Sequence, residues 1–474
     1  MEYDKRCDDN LNRLNSRLGR RALHIFDKYF TGDSIDYRQI ISIIIPLFVD
    51  QAFIILMSLL NTAMISSSGV AAVSAVSMVD SLNIFLINVF IAVATGGTVI
   101  VAQYRGSGNN KMVTKAASQA ISAVAVISLV ISAIVIILHN PTLNLLFGNA
   151  EEEVFNNAKL FLIGSCISYP FIAIFQAVLG ALRGVAETKP CLGLSLILNV
   201  TYLLLNVLFI TVLDMGVMGL VISMNLSRFL GMICSIYYLL KINQSLRYRL
   251  KNAFSFDFSI IKKIMFIGIP FAAEQMFFNG GKLLTQTFIV QLGTLSMTVN
   301  AIGNSIALLF QIGGNALSLA IVTVVGQCIG SRNVKDARKF VKSFLVLSSL
   351  TFVIADLIIF PLFPYIVRLF SPPEEIVSTI FTITLLTGLA QPFLWSVSFI
   401  MPSALRAAGD SKFTSIASLL SMWLFRVVLG YLLGIVLGYG IVGVWIAMIA
   451  EWGVRASVFY TRFRGDKWLK HQLV

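Results

Sequence analysis

I-P-L-F-V-D-Q, Ile45–Gln51, lies inside an apolar run that begins near Ile40, and its aspartate raises the question that organises the rest of the chain. A helix rises 1.5 Å per residue, so Asp50 sits about 15 Å into that run, near the middle of a hydrocarbon core about 30 Å thick. Composition names the solvent. Of 474 residues, 57% are hydrophobic and only 12% charged, with a mean hydropathy of +0.84; a soluble domain carries about 25% charged residues. Apolar stretches of about 20 residues, enough for one helical crossing, recur twelve times along the sequence. The chain therefore reads as an all-α polytopic membrane protein with twelve transmembrane helices, the fifth centred near Asn206 and the eleventh near Leu432.

The net charge of +13 is spread over alternate connections. Arg105, Lys111 and Lys115 follow the second span, Arg183 and Lys189 the fourth, and Lys241 to Lys263 the sixth. Arg332 to Lys342 follow the eighth, and Arg406 and Lys412 the tenth. The other connections are nearly bare, Arg368 excepted. The positive-inside rule then makes the basic loops and both termini cytoplasmic, in a multi-pass protein of the plasma membrane. No single basic domain exists, which excludes nucleic acid as a partner. Residues 1–37 are polar, without the apolar core and cleavage site of a signal peptide. Arg17, Arg20, Arg21 and Lys28 with Leu18, Leu23, Ile25, Phe26 and Phe30 suit either an amphipathic surface helix or a loose tail. His24, His139 and His471 are far apart and no phosphate-cradling G-x-x-x-x-G-K-[ST] occurs, so an enzyme, a resident metal and a cofactor are not expected.

Internal repetition answers part of the opening question. I-P-F-A-A-E-Q, Ile269–Gln275, repeats I-P-L-F-V-D-Q 224 residues later, placing Glu274 opposite Asp50. V-A-Q-Y-R-G-S-G-N-N-K from Val101 pairs with V-G-Q-C-I-G-S-R-N-V-K from Val325 at the same offset. A-L-R-G-V-A-E-T-K from Ala181 pairs with A-L-R-A-A-G-D-S-K from Ala404, and M-G-V-M-G-L-V from Met215 with Y-G-I-V-G-V-W from Tyr439. The expected organisation is an N-terminal tail (1–38), an N-lobe (39–240), a linker (241–263), a C-lobe (264–463) and a C-terminal tail (464–474). Six spans per half make the repeat parallel, an architecture of transporters that work by alternating access around a site between the halves.

These blocks also carry a resemblance. L-R-G-V-A-E-T-K-P, Q-Y-R-G-S-G-N, A-L-R-A-A-G-D-S-K, the acid after Pro270 and the ending Arg455–Trp468 are, in order and spacing, similar to the multidrug and toxic compound extrusion family. The resemblance runs from about Tyr37 to Trp468. It implies a V-shaped transporter of two six-helix lobes that exports organic cations in exchange for Na⁺ or H⁺. The major facilitator class also has six plus six spans, but its aspartate-bearing basic loop is not matched by Tyr104 to Lys111.

Asp50 and Glu274 are the expected ion-coupling residues. An ionisable group at mid-membrane costs about 2.5–3.5 kcal/mol on insertion scales, so it faces a wet cavity or a partner. Burial favours the protonated carboxyl and a bound cation the ionised one, which suits such a group to exchange H⁺ or transient Na⁺. The competing reading is that both acids brace their helices. Gln51, Gln275, Asn279, Lys282, Asn61 and Asp80 are the further cavity candidates, and Phe277, Phe278 and Trp395 offer rings for planar cations. Lys282 is eight residues past Glu274, roughly 80° around the helix, and is a candidate to pair with it. The family's first helix commonly carries V-D-T where this chain has L-N-T, Leu60–Thr62. Asn61 can offer a carbonyl to Na⁺ but cannot titrate, which moves the expected coupling to Glu274 first and Asp50 second. The expected partners are small molecules and the bilayer, with the protein a monomer. The alternative function is a flippase for a lipid or lipid-linked precursor, favoured by a cavity rich in Arg and Lys.

Overall fold

The computed structural model describes residues 26–65, 70–147, 152–246, 248, 256–471 and 473–474, and these contain helices and no strand. Of the expected amphipathic helix, residues up to 25 lie outside the described residues, while Phe26–Phe30 is helical.

The N-lobe is built from α1 (Tyr37–Ile65), α2 (Val70–Gly106), α3 (Asn110–Ile137), α4 (Glu152–Gly184), α5 (Thr188–Val212) and α6 (Gly216–Ile242). The C-lobe repeats the order with α7 (Phe258–Gln291), α8 in two pieces (Thr294–Phe310 and Ile312–Gly330), α9 (Val334–Arg368), α10 (Glu374–Ala407), α11 (Ser411–Val436) and α12 (Gly440–Arg464). Eleven of the described helices are long and apolar enough to cross a bilayer; α7, with 34 residues, is diluted by Glu274, Gln275, Asn279 and Lys282. Apolar side chains cover the outside, with Ile137, Leu357 and Phe393 each more than 70% exposed, as a lipid-facing surface requires. Asn206 and Leu432 fall toward the far ends of α5 and α11 rather than at their centres. Both helices start directly after a tight turn, and their early Ser, Thr and Asn residues hide that start from a hydropathy reading.

Each repeated block turns out to be a joint. The shared asparagines, Asn109 and Asn333, cap α3 and α9 by accepting from the backbone N–H of Met112 (3.2 Å) and Asp336 (3.0 Å). The shared glutamines cross between lobes. Gln103 Nε2 donates to the Ala407 carbonyl (2.7 Å) and Gln327 Nε2 to that of Gly184 (3.2 Å), so each lobe's glutamine holds the helix end that the other lobe's A-L-R block supplies. Gly106 and Gly330 lie so close to the Gln327 and Gln103 carbonyls that any side chain would overlap them. Thr188 and Ser411 tie α5 and α11 to the backbone of α1 and α7 through Ser42 O (3.0 Å) and Ile267 O (2.8 Å). Gly216 and Gly440 both take positive φ, +53° and +60°, in the last matched turn.

The lobes thus meet along α1 and α2 on one side and α7 and α8 on the other. The contacts lie in the half nearer the basic loops, from Gly96 against Ile264 and Gly268 against Val93 down to Gly106 and Gly330. That end is shut. The described ends of the chain reinforce it: Phe30 sets its ring edge-on to Phe344 of α9 at 5.8 Å, Ser34 N–H donates to Asp336 (2.8 Å), and Trp468 is fully buried.

Candidate functional site

Each lobe contains a cavity with charged and polar groups in its wall. The N-lobe cavity, about 410 Å³, is lined from α1, α2, α4, α5 and α6 and holds Asp50, Asp80, Arg183, Ser195, Asn199, Tyr202 and Arg228 among apolar side chains. The C-lobe cavity, about 330 Å³, is lined from α7, the first piece of α8, α11 and α12 and holds Lys282, Thr285, Gln286, Asn300, Asn304, Arg426 and Trp445. They are repeat-related. Val76, Asp80, Tyr202, Leu220 and Met224 of the first correspond, at the offset of 224, to Asn300, Asn304, Arg426, Val444 and Met448 of the second.

Asp50 is brought into position by α1, whose Pro46 removes a backbone donor one turn earlier. Its carboxylate is 1% exposed, and among the described residues neither oxygen has a hydrogen-bond partner. Arg183 of α4 approaches only to 3.9 Å. Glu274 occupies the matched place on α7 after Pro270 and is also buried, but it is satisfied: Arg406 donates through Nη1 at 3.0 Å and Ser415 through Oγ at 3.1 Å. Arg406 is held in turn by Ser403 (3.2 Å) and lies over the Phe271 ring at 4.1 Å. Glu274 lines neither cavity.

Arg183 and Arg406 therefore are not loop charges, as their place in the sequence suggests. They lie inside α4 and α10, largely buried, each facing the acid of its own lobe. The A-L-R blocks were the available signal: an arginine repeated at the same spacing as a repeated intramembrane acid. Lys282 does not pair with Glu274. It sits over the Phe278 ring at 5.0 Å, and among the described residues no carboxylate forms an ion pair with it. Phe278 also receives Arg426 (5.4 Å) and Arg455 (5.7 Å), so protein cations already occupy the ring proposed for a planar substrate. Trp395 is buried and stacks on Phe399 at 4.6 Å. Glu451 lies behind the C-lobe cavity, pairing with Arg426 and Arg455 at 3.2 Å each.

Asp80 lines the N-lobe cavity and Lys282 the C-lobe cavity. Asp80 accepts from Asn83 Nδ2 at 3.3 Å. Gln51, Gln275 and Asn279 line neither cavity and are half-buried; Asn279 turns back to the Gln275 carbonyl at 2.8 Å. Asn61 lies on α1, but its side chain lies outside the described residues. Among the described residues no group of three or more His, Cys, Asp or Glu is gathered that could hold a metal ion. Arg228, which reads in the sequence as a helix-end residue or a brace of its lobe, donates to Ser168 Oγ at 2.6 Å and also lines the N-lobe cavity.

A family model described as MatE matches residues 46–208 and again 270–432, two copies 224 residues apart. The chain is 29% identical over 434 residues to the uncharacterized transporter YisQ of Bacillus subtilis (strain 168), covering 90% of this chain and 93% of that protein. It is 26% identical over 445 residues to the probable multidrug resistance protein NorM of Thermotoga maritima, covering 92% and 94%. Among solved structures, an outward-facing multidrug resistance MATE family transporter superposes with a TM-score of 0.82 at 18% identity, over 90% of this chain and 94% of that one. Twelve helices in two repeated lobes, and a family model matching each of them once, place the chain in the MatE family, the multidrug and toxic compound extrusion transporters.

Proposed function

We propose that this protein is a secondary active exporter that carries small organic compounds, mostly cationic, out across the cytoplasmic membrane in exchange for Na⁺ or H⁺. The observation that carries the reading is Asp50, a buried carboxylate without a hydrogen-bond partner among the described residues, opening on a cavity inside a bilayer-spanning lobe. A cation or a proton satisfies that carboxylate, and a cationic substrate reaching the same cavity competes for it. Glu274, engaged by Arg406 and Ser415, is the weaker candidate on geometry, and Asp80 is the natural second acid at the Asp50 site. With the basic loops cytoplasmic, the shut end is the inner one, and the lobes stand outward-facing.

The test is ion release from purified protein on adding ethidium, compared among wild type, Asp50→Asn and Glu274→Gln. Wild type is expected to release Na⁺ or H⁺ and Asp50→Asn to release neither. Undiminished release by Asp50→Asn removes that residue from coupling, and ethidium efflux indifferent to both gradients removes antiport. The flippase reading keeps one supporting observation, Lys282 and Arg426 in the C-lobe cavity.

A further inference from the structure

The two repeat-related cavities differ in sign. In the N-lobe cavity two carboxylates, Asp50 and Asp80, face two guanidinium groups, Arg183 and Arg228. In the C-lobe cavity the place of Asp80 is taken by the neutral Asn304 and the place of Tyr202 by Arg426. Lys282 is added one turn beyond Phe278, and no carboxylate is in the lining. Glu451, behind it, is shared between Arg426 and Arg455, so the cluster around Phe278 holds three cations to one acid.

The neutral polar groups point the same way. Trp445 Nε1 donates to Asn300 Oδ1 (3.2 Å), and Asn300 Nδ2 donates to Gln286 Oε1 (3.0 Å). That relay uses the Gln286 oxygen as an acceptor, and Gln286 shares the cavity lining with Lys282. Ile289, Val444 and Met448 supply apolar wall. Cations, neutral polar groups and apolar surface in one lining, and a volume near the lower bound of ligand pockets, suit an amphipathic ligand with an anionic group. An ammonium inside a membrane-spanning helix is disfavoured unless water or an anion meets it.

We propose that the C-lobe cavity binds the anionic group, carboxylate or phosphate, of an amphipathic organic ligand, with Lys282 as its principal cation and Arg426, braced by Glu451, as its second. This deepens the exporter reading by adding a substrate class, and it rests on that reading only in calling the ligand a substrate. A zwitterion or an organic acid then enters the C-lobe while the N-lobe carboxylates keep the coupling cation.

The test is equilibrium binding to purified full-length protein in detergent with no ion gradient, so a failure of ion coupling leaves it unmoved. The probes are 2-naphthoate, its neutral isostere 2-naphthamide, dihexanoyl phosphatidic acid and dihexanoyl phosphatidylcholine, read by calorimetry and by thermal stabilisation. The expected result is that one or both anions bind better than their matched partners, with Lys282→Gln weakening the anion by roughly 10- to 100-fold and Lys282→Arg restoring most of it. Preference for naphthoate alone identifies a free organic acid, and preference for phosphatidic acid alone a lipid head group. Equal binding of anion and matched partner, or an anion preference that survives in a folded Lys282→Gln protein, overturns the proposal.

Discussion

The two acids at matched places give a prediction with an internal control. Glu274 and Arg406 are 3.0 Å apart with side chains 5% and 8% exposed. Glu274→Gln leaves the Arg406 charge buried with the Ser403 hydroxyl and the Phe271 ring, and breaking a buried pair on one side costs about 3–5 kcal/mol. Asp50→Asn is a different case. Its oxygens have no hydrogen bonds to lose among the described residues, and Arg183 is 3.9 Å away with part of its side chain open to the cavity. The lost attraction is offset by removing a buried, poorly solvated charge, so the net change is within about 1 kcal/mol. The assay is unfolding of the purified variants in detergent at two heating rates, with Glu274→Gln/Arg406→Gln as the fourth protein. Glu274→Gln is expected to lower the midpoint well below wild type, the double variant to recover part of that loss, and Asp50→Asn to stay near wild type while losing its ion response. If Asp50→Asn destabilises as much as Glu274→Gln, or the double variant is no better than the single, the division into a structural and a functional acid is wrong.

Two further outcomes follow from the joints. Replacing Gln103 and Gln327 by Ala removes two inter-lobe hydrogen bonds worth about 1 kcal/mol each, a shift of roughly fivefold per bond toward opening at the basic end. Spin labels at Ser107 and Ser331 should report longer distances in the double variant, and longer still in Gly330→Ala, whose methyl overlaps the Gln103 carbonyl; unchanged distances would mean that the lobes are not latched there. At the start of α7, Asp257 caps the helix through Ser259 and Ile260, and its hydrogen bond to Lys115 holds its carboxyl below the usual range. A depressed carboxyl contributes above its ordinary pKa and is lost as pH falls through the lowered one, so amide exchange at Ser259 and Ile260 should accelerate only below about pH 4. An equal acceleration in Lys115→Gln at higher pH is expected, and its absence would detach the cap from the lysine.

The fold was legible because both signals that specify it are local to the sequence. Apolarity over 20-residue windows locates the helices, and a constant offset pairs them into lobes, with no need to know which side chains touch. The site was legible only in part. Asp50, Asp80 and Lys282 were found as charges in apolar surroundings, and that criterion works for any helix. Arg183 and Arg406 were misplaced because an arginine close to a turn reads as a loop charge until its helix is seen to continue past it, to Gly184 and to Ala407. The expected Lys282–Glu274 approach failed for another reason: an 80° separation on one helix does not say which neighbour each side chain meets. α10 and α11 supply the answer, Arg406 and Ser415 for the acid, and Phe278 of its own helix for the lysine.

Repetition and function turn out to occupy different residues. A feature present at both copies of the repeat serves what two lobes need alike, and here that is capping (Asn109, Asn333), latching (Gln103, Gln327), close approach (Gly106, Gly330) and an acid with its arginine (Asp50, Arg183; Glu274, Arg406). Antiport by competition for Asp50, as proposed, uses only one of the two cavities and leaves the other free to differ. The cavity linings differ in charge where the copies differ: Asp80 stands against Asn304 and Tyr202 against Arg426, while Lys282 lines only the C-lobe cavity and Arg228 only the N-lobe one. Even the matched acids diverge in use, since the π-helical turn Met422–Val428 that carries Arg426 has an α-helical counterpart in the N-lobe, and Ser415 closes on Glu274 while both oxygens of Asp50 go without a hydrogen-bond partner among the described residues. The motif that identified the fold is therefore the scaffold shared by both lobes, and its mismatches are where the charge of the two cavities diverges, the difference on which the proposed cation and anion sites rest.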